Sequence, residues 1–303
     1  MTAPVTVTGP TTRSAVRAVG LGKRYGSRWA LRDCTFDLPA GSVTALVGQN
    51  GAGKSTLLHL AVGLTEPTAG RVEILGSSAR RQPRDVLPRL GFVAQDHALE
   101  PRFRVADMLE VGRRLNPRWD AALAREHLAR LGIPLGQRVG GLSGGQRAQV
   151  ALTMALAKRP EILVLDEPAA ALDPLARREL LRMLMGAAAD TGLTVLLSSH
   201  VISDLERVCD HLVILAAGEV RLTGPTDEVV AAHRLLSGPR TEPTAVARMH
   251  HVVSENHTDR QTTLLVRSTR HVYDSRWRVD EIGLEEIVLG YLSQTAPGKD
   301  VTE

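Results

Sequence analysis

The sequence predicts an α/β fold built on an open sheet whose strands end in polar loops. Three short apolar runs support this prediction, at residues 43–47, 161–165 and 194–198, and each has the length of a buried strand. Helix-like patterns follow the first two runs, as expected when strands and helices alternate. Because ligands bind beyond the carboxyl ends of such strands, the residues that follow each run are the first candidates for a functional site.

The composition is that of an ordinary globular protein. The chain has 303 residues, of which 43% are hydrophobic, enough for one large domain or two smaller ones with a substantial core. A net charge of +4 is compatible with nucleotide, lipid head groups or nucleic acid and selects none of them. Cys34 and Cys209 lack metal-ligand spacing, which indicates a reducing compartment and no zinc site. No apolar run is long enough to span a bilayer, so we expect another chain to cross any membrane at which this protein works.

The segment after the first apolar run matches the phosphate-binding pattern GxxxxGK[ST]. It lies between a strand and the apolar helical segment 56–64, which is the context that the motif requires. Glycines let backbone N–H groups point at phosphate oxygens, and the helix N-terminus adds a favourable dipole. We expect Lys54 to reach the terminal phosphates of a nucleotide and the Ser55 hydroxyl to bind Mg²⁺. The segment comprises Gly48, Gln49, Asn50, Gly51, Ala52, Gly53, Lys54, Ser55 and Thr56.

The chain before this loop carries one aromatic candidate. Residues 1–15 are rich in Thr, Pro and Ser and are predicted to be disordered, whereas residues 16–37 are strand-like with a turn at 26–28. Tyr25 lies just before the turn, where its ring could stack on adenine, an interaction worth about 1–3 kcal/mol in nucleic-acid sites. The alternative is a half-buried strand tyrosine, which the β-propensity of tyrosine favours.

A glutamine and a helical insertion follow. Gln95 ends the apolar GFVAQ strand at the carboxyl edge of the sheet, where it can orient water or complete a metal shell. Helical patterns at residues 105–115 and 121–131 then predict an inserted helical subdomain at about 97–157.

The last helix of this insertion is opened by the sequence LSGGQ. Its serine and glycines form a second anion-binding helix start, which would need a second nucleotide to face because one phosphate loop already holds the first. A simple helix cap is the alternative interpretation. The motif comprises Leu142, Ser143, Gly144, Gly145 and Gln146.

The second apolar run ends in two carboxylates, Asp166 and Glu167. We expect Asp166 to hold Mg²⁺, directly or through water. On an extended strand Glu167 would point the other way, where it can act as general base on the attacking water. Paired carboxylates are often a helix cap, but a cap does not explain the apolar strand that leads into both.

Two further polar residues follow the carboxylates. Asp173 precedes Pro174 at the start of a predicted helix. His200 ends the third apolar run, where its imidazole could contact a γ-phosphate or the base that activates water. The alternative for His200 is a hydrogen-bonded structural histidine.

In this order the motifs resemble those of the ATP-binding subunit of an ABC transporter. The ordered set carries the resemblance, and LSGGQ together with the phosphate loop and the DE pair is highly specific. The resemblance covers roughly residues 15–236. It implies a P-loop NTPase (RecA-like) core with an antiparallel β subdomain and an inserted α-helical subdomain, which we place at residues 16–236.

The resemblance also implies the cofactors and the roles of single residues. ATP and Mg²⁺ are the implied cofactors, with Tyr25 on the adenine and Ser55, Gln95 and Asp166 at the metal. Gln95 would also link the metal site to the permease. Glu167 would be the catalytic base.

The partners are implied in the same way. Two ATPase subunits would dimerise head to tail around two ATP molecules, as a homodimer or as a pseudo-dimer with a second ATPase subunit. LSGGQ would close over the partner's nucleotide, and Asp173 and His200 would connect the two sites. An integral-membrane permease would hold the complex at the cytoplasmic face of the membrane.

Two positions depart from the family pattern. Gln49 stands where the family usually has proline, and we expect its side chain to point away and leave the loop geometry intact. Residues 169–171 are three alanines in place of small polar and glycine residues, which affects the fine geometry at the subunit crossover rather than ATP binding.

The last part of the chain predicts a small α+β appendage at residues 237–303. A break at 237–240 precedes two strand-like runs and a helix-like GLEEIVLGYLS, which resembles the tail of ATPase subunits of bacterial exporters with a separate permease. A helix that merely packs on the core is the alternative interpretation.

The preferred function is therefore an ATPase that powers export through a separate permease. The alternative is a soluble ABC-type ATPase acting on nucleic acid or ribosomes, which the excess of basic over acidic residues suggests. Such proteins usually carry two cassettes or a long coiled coil, and this chain shows one cassette and no sustained heptads. We therefore expect no nucleic-acid partner. An importer subunit is a third hypothesis.

Overall fold

The computed structural model describes residues 5–6, 13–170, 172–202, 205–206, 208–240, 250–268 and 276–293. The strands are β1 (Val5–Thr6), β2 (Ser14–Tyr25), β3 (Arg28–Pro39), β4 (Val43–Val47), β5 (Ala69–Ile74), β6 (Leu90–Val93), β7 (Ile162–Leu165), β8 (Thr194–Ser199), β9 (His211–Ala216), β10 (Glu219–Pro225), β11 (His233–Pro239), β12 (His251–His257), β13 (Gln261–Arg267) and β14 (Arg278–Asp280). The helices are α1 (Lys54–Ala61), α2 (Pro83–Val86), α3 (Val105–Leu115), α4 (Ala121–Arg130), α5 (Gly144–Ala157), α6 (Pro174–Thr191), α7 (Thr226–Ala231) and α8 (Leu284–Ser293).

A seven-stranded sheet forms the centre of the molecule, in the order β1-β10-β9-β4-β8-β7-β6. The five strands from β9 to β6 are parallel, and β10 joins them antiparallel. Every residue of β4 and β7 is buried, because helices and the other sheets cover both faces, and this explains why these strands are uninterrupted apolar runs. The predicted α/β fold is confirmed.

An antiparallel sheet of three strands, β3-β2-β5, packs beside the central sheet. Leu21 and Leu31 of this sheet share a core with Leu57 and Leu58 of α1, so the antiparallel sheet is anchored to the helix that follows the phosphate loop. This is the antiparallel β subdomain that the resemblance implied.

The chain is ordered inside the segment that the sequence predicted to be disordered. Val5–Thr6 pairs with β10, and β2 begins at Ser14, where Ala15 is buried. The prediction of disorder for residues 1–15 is therefore wrong at these positions, because Val5–Thr6 and Ser14 form backbone pairs in two different sheets and Ala15 is buried. Residues 1–4 and 7–12 lie outside the described residues.

The helices α3, α4 and α5 form the helical subdomain expected at about 97–157. Apolar side chains from each helix meet in one cluster, which includes Val105, Leu128 and Val150. The opposite face of α5 packs into the core of the central sheet through Leu152 and Leu156. Because α5 belongs to both cores, it connects the helical subdomain to the parallel sheet.

The C-terminal region does not begin at a break near residue 237. Residues 237–239 lie within β11, which pairs with β13 and β14 in a four-stranded antiparallel sheet. Side chains of α8, including Ile287 and Val288, share one core with β4, β7 and β8. The expected boundary between residues 236 and 237 is therefore wrong, because it cuts a continuous strand. The appendage is α+β, as expected, but it shares the core of the main domain.

This shared core predicts a single unfolding transition. Replacing the fully buried Ile287 with alanine should lower the free energy of unfolding by about 2–5 kcal/mol, since it removes buried methyl groups and leaves a cavity. The control is Leu289→Ala on the same helix, where the side chain is 53% exposed and the loss should be within about 0.5 kcal/mol. Chemical denaturation followed by circular dichroism measures both, and a separate early transition in Ile287→Ala would contradict the shared core.

Two general expectations concern the cysteines and membrane segments. Both thiols are buried, and burial raises the pKa of Cys34 to about 11 and that of Cys209 to about 12, so they are unreactive core residues. None of the helices in the described ranges has the length and apolarity needed to cross a bilayer.

Candidate active site

Three of the predicted motifs meet at the carboxyl edge of the central sheet. Strands β4, β8 and β7 are parallel neighbours, and their ends lie side by side because Val47 pairs with Ser199 and Leu165 with Leu197. The phosphate loop follows β4, the two carboxylates follow β7, and His200 follows β8. Motifs that are far apart in sequence therefore share one edge, as the open-sheet rule predicts.

The phosphate loop is packed so tightly that two of its glycines have no room for a side chain. A Cβ on Gly48 would lie 2.4 Å from the carbonyl oxygen of Leu215. Gly53 has a φ of +107°, and a Cβ there would lie 2.6 Å from the carbonyl oxygen of Ala30. Helix α1 begins at the next residue, so its N-terminal N–H groups open onto the loop.

Lys54 is buried in this loop, and backbone carbonyl groups of the loop hold its ammonium in place. Its Nζ donates to the carbonyl oxygens of Gly48 at 2.8 Å and Gln49 at 3.3 Å. The same Nζ lies 3.3 Å from Oε1 of Glu167, and the Lys54 side chain is only 5% exposed. The ammonium is thus fixed between the loop and the base predicted from the sequence.

The two carboxylates are oriented by a serine that the sequence analysis did not single out. Ser198 Oγ donates to Oδ1 of the buried Asp166 at 2.8 Å and accepts from the backbone N–H of Glu167 at 2.8 Å. The sequence signal was a hydroxyl residue two positions before His200 at the end of an apolar strand. Its role depends on the pairing of β7 with β8, which was not predicted from the sequence.

Glu167 does not continue an extended strand. Strand β7 ends at Leu165, and Glu167 has a φ of +48°, a left-handed conformation that is uncommon for a residue with a side chain. The expected alternation of Asp166 and Glu167 on one strand is therefore wrong. The turn instead carries the Glu167 carboxylate to Lys54 and to His200, whose Nδ1 lies 3.1 Å from Oε2.

Ser198 should act as a positioning residue. Ser198→Ala leaves the N–H of Glu167 without its acceptor, and we expect kcat for ATP hydrolysis to fall about tenfold with a smaller change in KM. The matched control is Ser199→Ala, because within the described part of the chain the Ser199 hydroxyl is hydrogen-bonded only to the backbone of Val201. Steady-state hydrolysis by both variants tests this, and equal rates in Ser198→Ala and wild type would contradict it.

The remaining candidates for binding Mg²⁺ or adenine lie on three further segments of the chain. Ser55 and Thr56 occupy the first turn of α1. The strand before Gln95 ends at Val93, so Gln95 lies in an exposed turn two residues past β6 rather than in the strand. Tyr25 is the last residue of β2, with its side chain 51% exposed and Nζ of Lys23 at 5.1 Å from the ring centroid. This half-exposed strand tyrosine fits both interpretations proposed from the sequence.

The LSGGQ segment opens α5 with a capping box. Ser143 Oγ accepts from the N–H of Gln146 at 3.1 Å, and Gln146 Oε1 accepts from the N–H of Ser143 at 3.0 Å. Asp173 caps α6 in a similar way by accepting from the N–H groups of Leu175 and Ala176. Both helix starts are therefore ordered within one chain, before any partner is considered.

Gln49 makes an unexpected contact. Its Nε2 lies 3.5 Å from the carbonyl oxygen of Leu292, near the end of α8. The side chain points away from the loop interior, as expected, and it reaches the C-terminal helix. The phosphate loop and the C-terminal region therefore touch at the position where the family pattern usually has proline.

The donor set fits ATP and Mg²⁺. A glycine cradle with a buried lysine suits a chain of phosphates, and a hydroxyl with one carboxylate suits Mg²⁺, which keeps several of its waters and also binds substrate phosphates. Ser55 and Asp166 are the residues that would supply these oxygen ligands.

Comparisons with known proteins agree with this site. The family described as ABC transporter matches residues 31–170. The Nod factor export ATP-binding protein I of Rhizobium johnstonii is 37% identical over 212 residues, which cover 67% of this chain and 67% of that protein. The aliphatic sulfonates import ATP-binding protein SsuB 2 of Pseudomonas aeruginosa is 40% identical over 210 residues, covering 69% and 74%.

A solved structure shows the same fold. It is a dimeric ATP-binding cassette in a post-hydrolysis state bound to ADP and Pi, with a TM-score of 0.62 and 25% identity, and the match covers 70% of this chain and 98% of that one. The order of the motifs, the edge of the sheet at which they meet and these relatives agree. The chain belongs to the ABC transporter family, as an ATP-hydrolysing, ATP-binding subunit.

Proposed function

We propose that this subunit energises export of a substrate through a separate membrane permease, with Glu167 as the catalytic base. The observation that supports the base assignment most directly is the position of the Glu167 carboxylate. It lies between the buried ammonium of Lys54 and the imidazole of His200, at the edge of the sheet where the phosphate loop begins. A carboxylate at this position could accept a proton from a water that attacks the terminal phosphate of a nucleotide bound in the loop.

The phosphate loop would bind the nucleotide before any chemistry. Backbone N–H groups of residues 48–56 and the Lys54 ammonium would hold the phosphates, and Tyr25 would stack on the adenine. Ser55, Asp166 and Gln95 would hold Mg²⁺, which supplies charge neutralisation on the phosphate oxygens when it is bound. A bound phosphate would share the Lys54 ammonium with Glu167, which loosens the ion pair that the two side chains form.

Glu167 would then accept a proton from the attacking water. Ser198 fixes the backbone N–H of Glu167, and Lys54 and His200 contact separate oxygens of its carboxylate. His200 would hold the carboxylate in place or contact the γ-phosphate itself. Contacts from Ser198, Lys54 and His200 therefore hold Glu167 in place, which supports its assignment as the base.

The second half of each site would come from a partner subunit. The Ser143 helix start would close over the nucleotide of the partner, and Asp173 with His200 would relay the state of one site to the other. The dimeric cassette with ADP and Pi supports this arrangement for a protein of the same fold. ATP binding would favour the closed dimer and hydrolysis the open one.

Export is the direction that we favour. The C-terminal GLEEIVLGYL resembles exporter tails, and one relative is a Nod factor export protein. Import is the second candidate, because the sulfonate import protein is 40% identical. The permease partner would hold this subunit at the cytoplasmic face of the membrane.

Comparing small molecules in cells that carry wild type or the Glu167→Gln variant tests the direction. Compounds that build up inside the variant cells support export, whereas compounds that stay in the medium and are depleted inside support import. Purification from membranes in mild detergent tests the partner. We expect one membrane protein with about six spanning segments to co-purify. A salt-sensitive shift of RNA or DNA at low micromolar protein would instead favour the nucleic-acid alternative.

A further inference from the structure

A cleft of about 500 Å³ lies at the opposite end of the central sheet from the phosphate loop. Its lining includes Ala40, which lies before β4, Glu161 before β7, and residues 192–194, where β8 begins. These residues mark the amino-terminal ends of strands whose carboxyl ends carry Lys54, Glu167 and His200. The volume is within the range of small-molecule binding sites.

The walls of this cleft are apolar and come from three helices. Leu123 projects from α4, Leu156 from α5, and Met183 and Ala187 from α6. The antiparallel sheet closes the cleft through Leu75, which follows β5. A ligand bound here would contact the helical subdomain, the central sheet and the antiparallel subdomain together, and apolar contact would supply most of its binding energy.

A buried histidine is among the residues that line this apolar space. His127 lines the cleft and is 8% exposed. Its Nδ1 lies 2.6 Å from Thr153 Oγ1, and that hydroxyl donates its single proton to the carbonyl oxygen of Gln149 at 2.7 Å. Thr153 can therefore only accept from the imidazole, so Nδ1 carries the proton. Burial, followed by the charge of Arg130, lowers the pKa of His127 and so favours the neutral ring. In the neutral ring with the proton on Nδ1, Nε2 is a hydrogen-bond acceptor.

The charges at the rim of the cleft are mainly positive. Arg159 is bound to Asp120 at 2.6 Å, and Glu161, the only carboxylate lining the cleft within the described part of the chain, is bound to Arg89 at 2.6 Å. Among the described residues, Arg13 and Arg130 have no acidic partner within ion-pair distance. The rim therefore has two guanidinium groups available for a carboxylate.

We propose that this cleft binds a small amphiphilic anion, a rigid apolar ring system that carries one carboxylate and one hydroxyl. The carboxylate binds at Arg130 and Arg13, the ring packs against the three helices, and the hydroxyl donates to Nε2 of His127. A rigid ring loses less conformational entropy on binding than a chain of the same size. The site is separate from the ATP site and does not depend on the proposed direction of transport.

Three probes separate the parts of this proposal. 6-Hydroxy-2-naphthoate carries the ring and both groups, 2-naphthoate lacks the hydroxyl, and 2-naphthol lacks the carboxylate. Isothermal titration of the full chain should give a dissociation constant of about 0.1–1 mM for the first probe, as expected for a ligand of this size. The other two probes should bind about three- to tenfold more weakly, since each lacks one polar contact.

Variants assign the two contacts to single residues. His127→Leu should weaken the binding of 6-hydroxy-2-naphthoate about three- to tenfold and leave the affinity for 2-naphthoate unchanged. Arg130→Ala should weaken the binding of both carboxylate probes about tenfold and leave the affinity for 2-naphthol unchanged. Arg125→Ala is the matched control, because Arg125 is on the same helix but does not line the cleft. Ala187→Phe adds a large apolar ring to the α6 wall of the cleft and should abolish binding of all three probes.

Two results would overturn the proposal. The first is the absence of measurable binding by 6-hydroxy-2-naphthoate at concentrations of several millimolar. The second is binding that Ala187→Phe leaves intact or that Lys54→Ala removes, since either would place the probe elsewhere, the latter in the phosphate loop. Thermal unfolding of each variant must match wild type within a few degrees, and Ala187→Phe and Arg130→Ala test the cleft independently if His127→Leu does not fold.

Discussion

Glu167→Gln is expected to lower kcat for ATP hydrolysis by about 10²–10⁴-fold while ATP binding is retained. The amide has nearly the same shape as the carboxylate and can still contact Lys54 and His200, but it cannot accept the proton of the attacking water. If hydrolysis is the step that opens the dimer, the variant should also accumulate as a closed dimer in Mg-ATP. Single-turnover hydrolysis and size-exclusion chromatography with ATP measure the two effects.

Glu179→Gln is the matched control for this variant. Glu179 is an exposed glutamate on α6, so the same chemical change there should leave the rate within about twofold of wild type. Hydrolysis by Glu167→Gln at the wild-type rate would rule out Glu167 as the base. His200 would then be the next residue to test, because its imidazole lies beside the same carboxylate.

Lys54→Ala is expected to weaken ATP binding by about 10–100-fold. The Lys54 ammonium is buried and held by two backbone carbonyls, so it is in place for a phosphate before the nucleotide binds. Its removal deletes a charge-assisted contact worth about 1.5–3 kcal/mol. Titration with a fluorescent ATP analogue in the presence of Mg²⁺ measures the loss.

This variant needs a stability control, because it also leaves the Glu167 carboxylate, 12% exposed, without its ammonium partner. Thermal unfolding in the absence of nucleotide shows whether the fold is retained. Lys158→Ala removes a lysine at the end of α5, remote from the phosphate loop, and should bind ATP like wild type. Unchanged ATP affinity in a folded Lys54→Ala protein would contradict the role of the loop as the phosphate cradle.

Most of the fold could be predicted because local signals determine its elements. The strand at Val43–Val47, the helix at Val105–Leu115 and the Asp173 cap before Pro174 were placed correctly from apolar runs, periodicity and cap residues. The C-terminal boundary was misplaced. Ser, Gly and Pro at positions 237–239 predict a turn, but pairing of β11 with β13 and β14 overrides that local preference.

The candidate site was also predicted only in part from the sequence. Its residue types and their order were readable, because phosphate binding needs glycines and a lysine at fixed spacing and an apolar strand that ends in DE is uncommon. The left-handed turn at Glu167 and the role of Ser198 could not be predicted from the sequence. Both depend on β7 lying beside β8.

The sequence by itself determined the family, the phosphate loop, the two carboxylates and the helical insertion, because short-range spacing determines each of them. Only the tertiary structure decided that Glu167 lies between Lys54 and His200, that α8 packs into the main core and touches Gln49, and that three helices enclose a second cleft. The physical reason is that these contacts join residues far apart in the chain. Their geometry is set by the order of the strands and by core packing, which short-range patterns do not encode.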